Sequence, residues 1–274
     1  MSYTGFSVLM SIYKNEKAEF FKEAMHSIIN QTLPANEIIL VIDGLVGTTL
    51  QNQINESKKQ LGDVFRTVQL PENQGLGKAL NEGLTHCTYD IVIRMDTDDI
   101  CKPNRFEKLI EEFERQPDVD VVGSWIEEFH ITPNDYKKQR KVEQHSLDIK
   151  RRCQSRNPMN HPSVAFKKCS VLKVGGYLHF PLLEDYFLWY RMLQQDFVFY
   201  NIQESLVYLR IGNDMIGRRW GWTYFSNECK FFMTMLDNNF IGVFKLSKNL
   251  LIRLPLRTLP KPVLNIFYRN FLRT

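Results

Sequence analysis

The sequence predicts an α/β fold: a mostly parallel sheet with helices on both faces over residues 1–212, then a helical, basic and apolar extension over 213–274. Three observations carry this. Short apolar runs alternate with helical patterns through the first half, as βαβ units require. The runs are continuous, which suits strands covered on both faces. From residue 215 onward the pattern is helical and aromatic-rich, and residues 241–274 hold seven Lys and Arg with no Asp or Glu.

The elements follow in order. Residues 6–10 open the sheet. Phe21, Ala24, Met25, Ile28 and Ile29 then mark one face of a helix. Residues 38–42, bounded by Pro34 and Gly44, form the second strand, and 48–61 a polar helix. Residues 64–70 form the third strand, closed by Pro71. Leu76, Ala79, Leu80, Gly83, Leu84 and Cys87 share the next helical face. Residues 91–95 are the fourth strand. Phe106, Leu109, Ile110 and Phe113 mark a helix stopped by Pro117, before a fifth strand at 119–122. Past about residue 132 the elements shorten: a helix starts near Glu184, and strands are expected at 197–202 and 206–211. Pro255, Pro260 and Pro262 are expected to break the final helices.

Composition narrows the class. Hydrophobic residues make up 43% and charged residues 24% of 274, enough for a soluble domain with a real core. A net charge of +4 is too small to argue for nucleic acid. Five widely spaced cysteines without CxxC give neither a zinc site nor a disulfide framework and fit a reducing compartment. Met1 leads into an apolar strand without a basic segment, unlike a signal peptide. No run of 18 apolar residues is present to span a membrane. The basic, apolar extension suggests contact with an anionic surface; a solvated helical face is the other reading.

Chemistry concentrates after the fourth strand, in Arg94-Met95-Asp96-Thr97-Asp98-Asp99. An apolar strand places these carboxylates at the sheet's carboxyl edge, where open α/β folds bind ligands. Three carboxylates in four residues repel unless a cation joins them, and oxygen ligands suit Mn²⁺ or Mg²⁺. A helix cap would also use Asp98 or Asp99. Asp43 ends the second strand, as a base or ribose acceptor or as a turn residue before Gly44. Asn73, Gly75 and Lys78 open a helix whose N-terminus suits phosphate, or form an ordinary turn. Glu184 and Asp185 precede Tyr186-Phe187-Leu188-Trp189-Tyr190, where desolvation can make a base, or they simply start a helix. His161, between Asn160 and Pro162, contacts phosphate or acceptor or is a loop histidine.

As an ensemble these segments resemble family 2 glycosyltransferases of the GT-A fold, of the kind that build bacterial exopolysaccharide, capsule and O-antigen. The resemblance rests on Ser7–Tyr13 with Glu16, Ser27–Thr32, Glu37–Gly44, Asn73–Gly83, Arg94–Asp99, His161-Pro162-Ser163, Gly175-Gly176-Tyr177 and Glu184-Asp185-Tyr186. It covers roughly residues 5 to 211. It implies an inverting transfer from a UDP-sugar to a saccharide acceptor carried on a polyprenyl diphosphate. Ser11, Tyr13, Glu16, Asp43, Asn73, Gly75, Lys78, Arg94 and Asp96 would then bind the nucleotide sugar. Asp96 and Asp98 would hold Mn²⁺ or Mg²⁺, and Asp185 would be the general base. His161, Glu184 and Trp189 would touch acceptor or donor sugar. Two departures stand out: the second-strand carboxylate pair is Asp43-Gly44, and no His follows Asp185 to complete the metal site. The location implied is the inner face of the cytoplasmic membrane. A nucleotidyltransferase would need a glycine-rich loop after the first strand, and Ser11–Glu16 has none. An inactive scaffold would not need Asp96, Asp98 and Asp185.

Overall fold

A computed structural model describes residues 5–212 and 220–258. The chain divides into two compact units. The first comprises Met1–Cys153, Asn157–His179 and Glu184–Ile211; the second comprises Gln154–Arg156, Phe180–Leu183 and Gly212–Thr274.

The first unit is built on β1 (Phe6–Tyr13), β2 (Glu37–Asp43), β3 (Phe65–Gln69), β4 (Ile91–Arg94), β5 (Ile100–Cys101), β6 (Val121–Phe129), β7 (Lys138–Arg140), β8 (Ala165–Lys167) and β9 (Phe199–Arg210). They form one sheet in the order β3-β2-β1-β4-β8-β6-β9-β5, with β7 paired to β6. β1 is parallel to both β2 and β4, and β2 to β3, as the βαβ rhythm requires. The helices between them are α1 (Ala18–Ile29), α2 (Thr48–Leu61) and α3 (Leu76–His86). Side chains alternate across the pleat. Val8, Met10, Ile12, Leu40 and Ile42 join α1 residues Phe21, Ala24, Met25 and Ile28 in one core cluster. The same cluster takes in Phe106, Leu109 and Phe113 of α4 (Arg105–Arg115). On the other face, a Cβ at Gly83 of α3 would overlap Leu9 and Val41, so this helix lies close against the sheet.

The second half of the sheet is mixed. β8 runs antiparallel to both β4 and β6, and β5 antiparallel to β9, so parallel pairing holds for β3-β2-β1-β4 and for β6–β9 only. The stretch from β6 to β8 contains β7 and α5 (Ser146–Cys153), which do not make the single crossover helix that would bring β8 back parallel. β6 runs to Phe129, past the expected end at residue 122, because its polar residues are paired: Glu127 accepts from Lys102 at 3.0 Å, and Glu128 binds Arg140. The two strands expected at 197–202 and 206–211 are one strand, β9, whose register against β6 shifts opposite Trp125. Gln203 and Glu204, the exposed polar break in the pattern, sit at that irregularity.

α6 (Lys168–Lys173) and α7 (Glu184–Gln194) complete the first unit, α7 beginning at Glu184. The second unit holds α8 (Trp222–Asp237) and α9 (Val243–Thr258). Pro255 lies inside α9 and does not end it, so the break expected there is corrected; Thr258 Oγ1 still donates to Leu254 O at 2.7 Å. Pro260 and Pro262 lie outside the described residues.

Candidate active site

The strand order reverses at β1, with β2 on one side and β4 on the other, so the crevice of the sheet lies at the carboxyl ends of β1 and β4. β4 ends at Arg94, paired with Leu9, while β1 runs on to Tyr13. The acidic loop therefore turns off beside the last residues of β1. Thr97 Oγ1 donates to Glu16 Oε2 at 2.8 Å and ties the two strand ends together. Ser11 is half-buried and Tyr13 exposed at this edge.

One ligand atom each of Asp96, Asp98 and Asp99 lies within 4.8 Å of the others. Asp99 is buried; Asp96 and Asp98 are half-buried. Burial, then repulsion from Asp96 and Glu16, pushes the Asp98 carboxyl up to about 7. Burial and the charges of Asp98 and Asp96 raise Asp99 well above the usual carboxylate range. Burial raises Glu16 too, against the hydrogen bond from Thr97. Asp99 Oδ2 is buried with no hydrogen-bond partner among the described residues. An all-oxygen cluster that repels itself and carries an unspent buried oxygen fits a hard divalent cation.

Arg94 is 2% exposed and pairs with Asp96. Its Nε and Nη1 have no hydrogen-bond partner among the described residues. It therefore lies beneath the acidic loop. Two arginines not foreseen from the sequence fix that loop. Arg105 Nη2 donates to Arg94 O at 2.6 Å and to Pro162 O at 3.0 Å. From the end of β9, Arg210 N donates to Asp99 Oδ1 at 2.8 Å and Arg210 Nε to Asp98 O at 2.9 Å. The Arg210 guanidinium lies over Phe20 and Phe129, at 4.0 and 4.4 Å from the ring centres, and pairs with Glu23. No local pattern marks Arg210, since its partners in the acidic loop lie more than 100 positions away.

Asp185 opens α7 half-buried. Asn157 Nδ2 donates to its Oδ2 at 2.6 Å, and Tyr186 N to its Oδ1 at 2.7 Å. Tyr177 links this carboxylate to the acidic loop. Burial raises its hydroxyl, Arg94 lowers it, and Asp185 and Asp96 raise it further, so all three charges lie near one phenol. Asn81 of α3 fixes Tyr177 through both amide atoms, at 2.8 Å to Tyr177 O and 2.8 Å from Tyr177 N. Gly176 has φ +66°, and a Cβ there would strike Asn81, so this pairing requires glycine. A Cβ on Gly77 would meet Glu184 and Tyr177 at 3.4 Å, which brings the start of α3 beside the start of α7.

Other expected site residues do different work. Asp43 is 3% exposed. Its carboxylate accepts from Gln74 N at 2.7 Å, Gly75 N at 3.0 Å and Asn73 Nδ2 at 3.0 Å. The Asp43 carboxylate therefore joins the end of β2 to the turn that opens α3, with Asn73 and Gly75 as two of its donors. Gly44, at φ +83°, lets the two turns meet; a Cβ there would lie 2.7 Å from Asn73 N. Lys78 is exposed on α3. His161 is buried, with Nε2 at 3.0 Å from the Tyr177 hydroxyl, and burial with nearby Arg94 holds its pKa well below the usual value. Trp189 is fully buried between His161 and Phe199. The inward face of α7 puts Trp189 in the core, and His161 meets Tyr177 from within.

Comparison with known proteins follows this geometry. The model of the family described as Glycosyl transferase family 2 matches residues 7–175. An uncharacterized glycosyltransferase of Haemophilus influenzae is 41% identical over 98% of this chain and 99% of its own. A UDP-Gal:alpha-D-GlcNAc-diphosphoundecaprenol beta-1,3-galactosyltransferase of Escherichia coli is 37% identical over 98% of this chain and 96% of its own. Among solved structures, a mannosyltransferase of Pyrobaculum calidifontis in complex with GDP-Man and Mn²⁺ superposes with a TM-score of 0.66 at 16% identity, covering 95% of this chain and 72% of that one.

Proposed function

The chain belongs to glycosyl transferase family 2, and from that premise we propose an inverting transfer of a sugar from a UDP-sugar to a lipid-linked saccharide acceptor, assisted by Mn²⁺ or Mg²⁺. Glycosyltransferase activity and the GT-A fold come with the family. One observation supports the finer reading: Asp96, Asp98 and Asp99 converge at the switch point of the sheet, with an Asp99 oxygen that has no hydrogen-bond partner among the described residues.

Asp96 and Asp98 would hold the cation, with Asp99 behind them. Once bound, it would neutralise charge growing on the leaving diphosphate. Arg94 holds Asp96 from below, and Glu16 with Thr97 keeps the β1 edge against the acidic loop. Ser11 and Tyr13 line that edge for the nucleotide. Asp185, oriented by Asn157, takes the proton from an acceptor hydroxyl. The hydroxyl oxygen bonds to the anomeric carbon as the bond to the diphosphate oxygen breaks, and that electron pair leaves with UDP. A single displacement inverts the carbon, so an α-linked donor yields a β-glycoside.

The Escherichia coli relative acts, by its name, on a diphosphoundecaprenol-linked sugar. A polyprenyl-diphosphate acceptor for this chain is proposed on that likeness, and with it work at the cytoplasmic face of the inner membrane. The test is UDP release from a panel of UDP-sugars with an undecaprenyl-diphosphate-linked monosaccharide and Mn²⁺. Release that needs donor, acceptor and metal together is expected; release that is no faster with acceptor than without it, or full activity in the presence of a chelator, would refute it.

A further inference from the structure

In the second unit α9 has its polar and apolar faces exchanged. Its inward side carries polar groups beside the half-buried Leu246 and Leu250. Asn249 is 2% exposed and donates to Gln154 O at 2.7 Å. Arg253 Nε and Arg257 Nε reach the Glu228 carboxylate of α8 at 3.0 and 2.8 Å, and that carboxylate is only 6% exposed. The rings of Phe232 and Tyr224 lie 4.4 and 4.7 Å from these guanidinium groups. Its outer side is apolar: Phe244 is 95% exposed, Leu251 72% and Ile252 47%. Phe244, Lys248 and Leu251 fall four and three residues apart, so one stripe carries all three. A surface helix of a soluble domain shows the reverse arrangement.

Charge identifies what covers this face. Asp237 is the last acidic residue of the chain. Lys245 and Lys248 stand among the exposed apolar residues of α9. Residues 259–274, outside the described residues, add Lys261, Arg269 and Arg273 and seven of Leu, Ile, Val and Phe to the sequence. Among the described residues no helix is long and apolar enough to cross a membrane. A helix of long apolar side chains and lysines, without acids, suits the plane of an anionic bilayer.

We propose that the outer face of α9 docks on an anionic lipid surface, with Phe244, Leu251 and Ile252 entering the interface and Lys245 and Lys248 meeting lipid phosphates. The inward Arg253–Glu228–Arg257 cluster holds the helix so that its apolar side stays outward. The biological use of this docking rests on the lipid-linked acceptor proposed above; the docking itself is measured apart from it.

The full-length protein is sedimented with phosphatidylcholine vesicles, with and without phosphatidylglycerol. Binding only to the anionic vesicles, reversed by salt, is expected. K245Q/K248Q should bind about thirtyfold more weakly, roughly fivefold per lysine. F244S/L251S should lose sedimentation while keeping the far-ultraviolet spectrum. Both variants should release UDP at the wild-type rate with a detergent-dispersed acceptor; a wild-type protein that binds vesicles but transfers nothing refutes the acceptor reading and leaves docking standing. Vesicle affinity unchanged in F244S/L251S, or equal binding to neutral vesicles, overturns the proposal. So does a dimer that F244S/L251S dissociates without any vesicle binding, since the face would then pair two copies.

Discussion

Asp43→Asn separates two roles for one carboxylate. In the structure both oxygens are engaged: Oδ2 accepts from Asn73 Nδ2 and Gly75 N, each at 3.0 Å, and Oδ1 from Gln74 N at 2.7 Å. An asparagine keeps one acceptor oxygen. Placed at the Oδ2 position it preserves two bonds, and its NH₂ then faces the N–H of Gln74, donor against donor. One charge-assisted bond is lost, and one donor beside a 3%-exposed side chain is left without a partner. That costs about 2 kcal/mol, within the range for an orphaned buried donor. For a chain of this size the melting temperature should fall by roughly 3–4 °C. Asp43→Ala removes all three acceptor contacts and should fall further. The assay is a thermal melt of each variant beside the KM for UDP-sugar. The loop carries the start of α3, so a moderate rise in KM accompanies the melt. A melt within about a degree of wild type, with KM strongly raised, would refute the clamp and return Asp43 to the base or ribose.

Asp98→Ala should abolish metal-stimulated transfer without lowering the melting temperature, because it removes one of three mutually repelling carboxylates; near-normal turnover in Mn²⁺ would refute the metal assignment. Asp185→Asn should bind UDP-sugar, measured by calorimetry, yet fail to transfer; lost donor binding with normal turnover per bound donor would make it a donor ligand. His161 is held neutral in the folded protein, so the unfolded chain alone takes up its proton below about pH 6.5 and stability falls as pH drops through that value. His161→Gln should flatten that part of the urea-denaturation profile, and an unchanged slope would refute it.

The parallel half of the fold is legible because one local signal, an apolar run followed by a 3.6-residue face, repeats in β1-α1-β2 and again through β4. The acidic loop is legible for the same reason: a strand tells where its next residues must emerge. Antiparallel β8 is not, since three residues between polar stretches leave no periodicity to read. Asp43 shows a different limit. Its type and its place at a strand end suit a ligand contact and an internal clamp equally, and the nearness of Asn73–Gly75 that makes the clamp is set by the fold and not by the local sequence. Trp189 and His161 carry chemistry that suits a sugar contact, and their burial is set by distant partners that no local pattern shows. The basic and apolar make-up of the extension is plain in sequence, whereas the inversion of α9 depends on Glu228 reaching across from α8.

The bonds from Arg210 to the acidic loop also set a clock. Arg210 N meets Asp99 across 111 positions, and Arg210 Nε meets the Asp98 carbonyl across 112. At about 5–20 residues per second, the ribosome adds Arg210 roughly 6–20 seconds after Asp99. Until then the acidic loop lacks both of the bonds that the end of β9 supplies. The nascent chain thus carries the sequence of a cation site well before it carries the site. Its acidic loop closes only when the last strand of the first unit arrives, so a chain truncated before β9 would present the motif without the geometry that gives it meaning.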